Sequence, residues 1–324
     1  DVCSSDLMDV SNASMYDGAT ATAEAMFMVT AQTKRNTVLI SATVNPRVIE
    51  VVQTYAKYRG LQVEIIPQQD FVTDNNKLKE KLNENVAGVI VSQPNYFGVI
   101  EDYTLLNQLT HNNKSLLVMN VDPSTLPLLK SPKSWGADIA CGEAQSLGIP
   151  LSMGGPYVGF LACTMPLLRK MPGRICGMTN DVDGKRGYVL TFQAREQHIR
   201  REKANSNICS NQSLMALQVV IYMSLLGKQG MKEVARLAYN NAHYLEEQLL
   251  KTGLFKKVNN KPFFKEFVLA YNGDANALNK VLLVDNILGG LVLENNHMLL
   301  CATEARTKAE IDEFVRLVGE KHVR

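Results

Sequence analysis

No lysine occurs between Ser134 and Arg169 in this chain of 324 residues, although lysine and arginine together number 34. Cysteine is also sparse. Cys3, Cys141, Cys163, Cys176, Cys209 and Cys301 are widely spread and form no C-x-x-C pair, which argues against a metal centre and fits free thiols in a reduced cytosol. Five scattered histidines form no H-x-x-x-H pair. Neither sign of charge is in excess: 34 basic against 32 acidic residues leave a net +2. That balance gives no electrostatic case for nucleic acid or a membrane surface as a partner. No secretory or membrane-spanning segment is legible, because the longest apolar stretch, residues 154–168, is too short and is cut by Pro156 and Pro166.

What is present is the composition of a globular protein, 46% apolar and 20% charged. The length suffices for one large and one smaller domain. Residues 1–7 (DVCSSDL) fit poorly with the segment after them and read as a non-native leader on a chain whose natural N-terminal part is missing. From residue 8, strand-like and helix-like segments alternate. Residues 17–34 are helix-like, with Asp17 as N-cap, and 37–42 are a short apolar strand. Helix, strand and helix come next at 45–59, 61–66 and 75–83. A fully apolar strand (86–92, VAGVIVS), a helix (102–111) and another strand (115–121) complete the series. Continuous Val/Ile/Leu strands separated by amphipathic helices predict a mostly parallel sheet covered on both faces. Ligands in such sheets bind at the edge where the strands end, so residues 92–95 and Asp122 are expected near one crevice. Further strands are expected at 157–164 and 188–192, and a long helical region at 211–250, interrupted at 227–230. Beyond residue 250 the pattern changes to strands at 255–257, 263–271 and 298–302 with helices at 275–285 and 307–321. This predicts a large α/β domain over 8–250 and a small α+β domain over 251–324.

Three segments could carry chemistry. The first is NASMYDG (12–18), a turn of small and polar residues before a helix, where backbone N–H groups can bind a phosphate; Asp17 would repel an anion there, and an ordinary capped helix is the preferred reading. The second is REQHIRREKANSNICSNQ (195–212). Its basic residues are interrupted by Glu196 and Glu202, so they read as a solvated surface, but the amides and hydroxyls at 205–207 and 210–212 precede a long apolar helix and could reach a ligand or a neighbouring chain. The third is GADIACGEAQSLGIPLSMGGPYVGF (136–160), a Gly-rich loop after an apolar run that ends in Asp122. In the large fold of pyridoxal-phosphate (PLP) enzymes, such an Asp pairs with the cofactor's ring nitrogen and a lysine some two dozen residues on forms the Schiff base. Counted back from Gly154 and Gly155 the lysine slot falls on Gln145. Counted forward from Gly136 it falls on Ser146. Neither can form an imine. A stand-alone enzyme would need Lys133 or Lys170, which flank the loop.

These segments, with FGVIED (97–102) and MPGRICG (171–177), closely resemble the P-protein family of the glycine cleavage system, on the side of subunit 1 of its split, two-subunit form. The resemblance runs from Met8 to about Lys321. It implies an aspartate-aminotransferase-type (fold type I) PLP-transferase-like large domain with a small C-terminal domain. It implies a heterotetramer of two plus two with a subunit 2 that holds PLP on its own lysine, so no cofactor is covalently bound here. It further implies decarboxylation of glycine, transfer of the aminomethyl group to the lipoyl arm of H-protein, and a cytoplasmic location. A scaffold of the same fold without any enzymatic role is the non-enzymatic alternative. Carried over by position, Asn12, Ser14, Tyr16 and Asp17 lie in the turn near the cofactor phosphate of catalytic relatives. Asn205, Ser206, Asn207, Ser210 and Gln212 lie where a chain reaches the partner's PLP. The family pattern has Thr where this chain has Asn205, and an amide there can still donate and accept. Asp122 without a lysine is expected to be vestigial.

Overall fold

The computed structural model describes residues 8–204, 206, 208 and 212–322. Two compact units divide the chain: residues 1–69, 73–93 and 102–227 form the first, and residues 70–72, 94–101 and 228–324 the second.

In the first unit, strands β1 (Val10–Ser11), β2 (Thr37–Ser41), β3 (Gln62–Ile66), β4 (Val86–Gln93), β5 (Leu116–Val121), β6 (Ile139–Glu143) and β7 (Gly159–Cys163) form one sheet. Its order is β1-β7-β6-β5-β4-β2-β3. β3, β2, β4, β5 and β6 run parallel, whereas β7 is antiparallel to both β6 and β1. Period-two alternation divides the central strands between two cores. Val38, Ile40, Ile90 and Val118 face Ala21, Ala25, Met26 and Val29 of α1 (Gly18–Thr33). Leu39, Val89, Val91, Leu117 and Met119 lie in the opposite core, with Leu78 of α3 (Asn75–Lys81) and Leu106 of α4 (Thr104–Asn112). Helix α2 (Pro46–Lys57) adds Val52 and Ala56 to the α1 side. Each Val, Leu or Ile fully buried this way contributes about 1.5–3 kcal/mol, which explains why β2, β4 and β5 carry no charged residue.

Two strands differ from expectation. Ile139–Glu143 lies inside the stretch read as a Gly-rich loop, yet it is a sheet strand between β5 and β7. Its brevity and the glycine at 142 hide it in the sequence. The strand expected at 188–192 is half of an antiparallel hairpin, β8 (Ile175–Asn180) with β9 (Arg186–Thr191). Met178, Val182, Tyr188, Val189 and Leu190 of the hairpin are exposed.

The long helix α5 (Ser213–Lys251) is broken at Gly227, where φ 59° and ψ −174° are not helical. Backbone of this kind is essentially restricted to glycine. The compact units divide here, whereas composition shifts only near residue 250. By length and apolarity alone, α5 could cross a membrane, contrary to the expectation drawn from residues 154–168. The 14 residues from 213 to 226 precede the break. They extend about 21 Å at ~1.5 Å per residue, short of the ~30 Å of a bilayer core.

The second unit contains an antiparallel sheet ordered Phe255–Lys257 (β10), Glu266–Tyr271 (β11), His297–Cys301 (β13), Leu291–Val292 (β12). Helices α6 (Ala275–Leu283) and α7 (Lys308–Glu320) and the second half of α5 supply Leu278, Leu282, Ile311, Leu317, Leu245 and Leu249 to its core. Gly98 has φ 81°, and a Cβ there would lie 1.8 Å from the Glu266 carbonyl oxygen, so only glycine fits.

Candidate functional site

Parallel strands β5 and β6 end side by side, which brings Asp122, Glu143 and Ser146 to the sheet edge where such folds bind ligands. The N terminus of α1 reaches the same edge. Asp17 caps it, accepting from the Thr20 amide at 2.8 Å, while the Thr20 hydroxyl completes a capping box. The backbone N–H of Gly18 donates to Glu143 Oε2 at 2.9 Å. The other carboxylate oxygen, Oε1, accepts from the amides of Gln145 at 3.0 Å and Val158 at 3.3 Å. Gly18 permits this approach, because a Cβ on it would stand 2.5 Å from the Glu143 nitrogen. Burial holds the Glu143 carboxyl above its ordinary pKa, and the three amide donors offset only part of that rise.

The two candidates for the lysine slot separate cleanly. Gln145 turns away, its amide Nε2 donating to the Ile149 carbonyl at 2.5 Å. Ser146 turns toward Asp122, and its hydroxyl donates to Oδ1 at 2.9 Å. The same oxygen accepts from the Ser124 amide at 2.9 Å and the Ser124 hydroxyl at 2.8 Å. Lys133 is engaged elsewhere, with Nζ 2.6 Å from Asp9 Oδ1. PLP needs an amine for its carbonyl, a carboxylate for its ring nitrogen and an uncompensated anion seat for its phosphate. Here the amine is missing, the Asp122 carboxylate is held by hydroxyls, and the Gly18 N–H carries a carboxylate already. The residues present at this edge do not fit covalent PLP.

Beneath this edge, Asn120 Nδ2 donates to the Thr22 hydroxyl at 2.7 Å, which donates to the Gly18 carbonyl at 2.8 Å. Cys141 Sγ lies 3.6 Å from the same hydroxyl, and full burial pushes its thiol up to about 12.

The carried-over residues divide. Asn12 is buried, donating to the Pro172 carbonyl at 3.1 Å and to Met15 Sδ at 3.0 Å. Buried Ser14 accepts from the Gln212 amide at 3.3 Å, so this pair, 198 residues apart in sequence, does meet. Tyr16 and Ser206 line one cavity of about 430 Å³ with Glu24, Tyr55 and Arg59. Asn205, Asn207 and Ser210 lie outside the described residues. Sequence reading missed Glu24 and Glu143. Glu24 is only 5% exposed, and burial raises its pKa to about 7 against a hydrogen bond from Ser206 and the charge of Arg59. A lone acid at the end of the apolar run 139–141 was a legible sign of Glu143; a Glu within an Ala-rich helix gave none for Glu24.

Comparison with known proteins identifies the family. The family described as glycine cleavage system P-protein matches residues 2–318. A relative from Desulfitobacterium hafniense named probable glycine dehydrogenase (decarboxylating) subunit 1 is 48% identical, over 98% of this chain and 73% of its own length. The crystal structure of an inhibitor-bound glycine decarboxylase (P-protein) of the glycine cleavage system superposes with a TM-score of 0.91 at 38% identity, covering 97% of this chain and 72% of that one. The glutamate decarboxylase of Lactobacillus brevis, at 12% identity and a TM-score of 0.72, covers 95% and 73% respectively and shares the fold alone, that of fold type I PLP-dependent enzymes. The chain belongs to the glycine cleavage system P-protein family.

Proposed function

We propose that this chain is subunit 1 of a two-part glycine dehydrogenase (decarboxylating), working in the cytoplasm in a heterotetramer of two plus two with a PLP-bearing subunit 2. The pair removes carbon dioxide from glycine and passes the aminomethyl group to the lipoyl arm of H-protein. PLP on the partner supplies the electron sink for this chemistry. The observation that carries the reading is that neither candidate for the lysine slot is an amine: Gln145 binds the Ile149 carbonyl and Ser146 binds Asp122.

The exposed face of α5 supports the need for a partner. Leu214, Leu217, Val220, Ile221 and Leu225 all face solvent ahead of the break at Gly227. Such a contiguous apolar face is characteristic of a protein–protein contact. Tyr16 and Ser206, which line one cavity, then wall the shared pocket and orient what enters it, without supplying the reacting amine.

Incubation with PLP, borohydride reduction and mass spectrometry test the reading. No stoichiometric pyridoxyl-lysine is expected on this chain, and glycine decarboxylation is expected only after subunit 2 is added. One dominant modified lysine, protected by glycine, would overturn it.

A further inference from the structure

The missing lysine leaves the other end of the PLP cradle unexplained. The N terminus of α1 is the natural seat for a phosphate at this sheet edge, since its free N–H groups and helix dipole favour an anion. An anion is already there. Glu143 comes from a strand 125 residues away, and both of its carboxylate oxygens are held by main-chain amides: Oε2 by Gly18, Oε1 by Gln145 and Val158. Bonds between an ionised acceptor and amide donors are roughly twice as strong as neutral ones. Asp17 adds a second carboxylate at the same helix end, bound to the Thr20 amide.

We infer that Glu143 is a built-in replacement for a ligand phosphate, so that this chain is shut to phosphate-bearing pyridoxal at two independent points, Glu143 at the anion seat and Ser146 at the amine position. The inference stands apart from the subunit assignment, because it concerns an anion seat that the lysine test does not read. A phosphate monoester entering here must displace Glu143 and approach Asp17, a like charge. Restoring the amine alone therefore does not restore recognition of the phosphate.

Two measurements on the full chain separate the closures. The first is thermal unfolding with added inorganic phosphate. Glu143→Ala empties the seat, so phosphate should raise the Tm of this variant by several degrees. It should leave the native chain unmoved, along with Glu143→Gln, which keeps the seat filled. The second compares PLP with unphosphorylated pyridoxal as labels for an introduced amine, trapped with borohydride. Ser146→Lys should react with the two aldehydes at similar rates. Ser146→Lys combined with Glu143→Ala should prefer PLP by about tenfold or more, the gain expected from new charge-assisted bonds. A strong PLP preference in Ser146→Lys alone, or equal phosphate stabilisation of the native chain and Glu143→Ala, would overturn the inference. If the double variant does not fold, the phosphate titration of Glu143→Ala decides by itself. If Glu143→Ala folds only with phosphate present, that rescue is the expected result in its strongest form.

Discussion

The C-terminal edge of the central sheet and the first half of α5 treat their surroundings in opposite ways. At the sheet edge two groups that could hold PLP are answered by other groups of the same chain: Asp122 by Ser124 and Ser146, the Gly18 amide by Glu143. Along α5, by contrast, Leu217, Val220 and Ile221 are left unanswered in solvent. A scaffold that gives up its own chemistry can seal the old site with a few short polar side chains. It cannot seal an apolar helix face in that way, because that face is stable only against another surface. The open face fits the proposed association, and the closed edge shows that the polar groups there are satisfied within this chain.

The contrast is breakable from either side. Val220→Asp with Ile221→Asp should have the largest effect. At about 1.5–3 kcal/mol per apolar side chain, affinity for subunit 2 should fall at least about a hundredfold, measured by sedimentation or biolayer interferometry. The Tm of the isolated chain should stay unchanged, and retained affinity would show that this face binds nothing. Next comes Glu24→Gln. Its carboxyl has a folded pKa raised from 4.5 to about 7 by burial, so the fold favours the protonated form. The native chain therefore loses stability relative to the variant as pH rises from about 4.5 to about 7, and the deficit persists above that. At ~1.4 kcal/mol per pH unit the variant should gain about 3 kcal/mol at pH 8, an upper figure, and almost nothing at pH 4.5. Denaturant melts at the two pH values check the sign. Gly18→Ala should cost about 1–3 kcal/mol by overpacking, since its Cβ meets the Glu143 backbone at 2.5 Å. Chemical denaturation measures it. The smallest effect is expected from Ser146→Ala, about 1 kcal/mol for one hydrogen bond to a carboxylate that keeps Ser124.

Sequence made the scaffold legible wherever local chemistry and burial agree. Asp17 announces the start of α1, VAGVIVS can only be a strand buried on both faces, and Gly227 marks the break in α5. It hid Ile139–Glu143, because a five-residue strand ending in Gly-Glu looks like the loop after it. It also hid Ile175–Asn180, whose hairpin buries neither face well enough to impose alternation. The candidate site was half legible. Counting from glycines leaves the slot between Gln145 and Ser146; their side-chain directions, Gln145 onto the Ile149 carbonyl and Ser146 onto Asp122, are visible only in the structure. Glu143 showed only as a lone acid after the apolar run 139–141; what it holds stayed hidden, because its donors are backbone amides, one of them 125 residues away, and main-chain donors leave no mark on residue identity.

The positive-φ turn of Gly227 has a mechanical side. A continuous helix carries torsion along its length as a rod does, each hydrogen-bonded turn gripping the next. At Gly227 that grip is released, and any twist imposed on the apolar half of α5 must pass through one pair of main-chain angles before it reaches Lys228. A side chain at 227 would be held at a φ that L residues rarely adopt, so the joint accepts glycine and resists substitution.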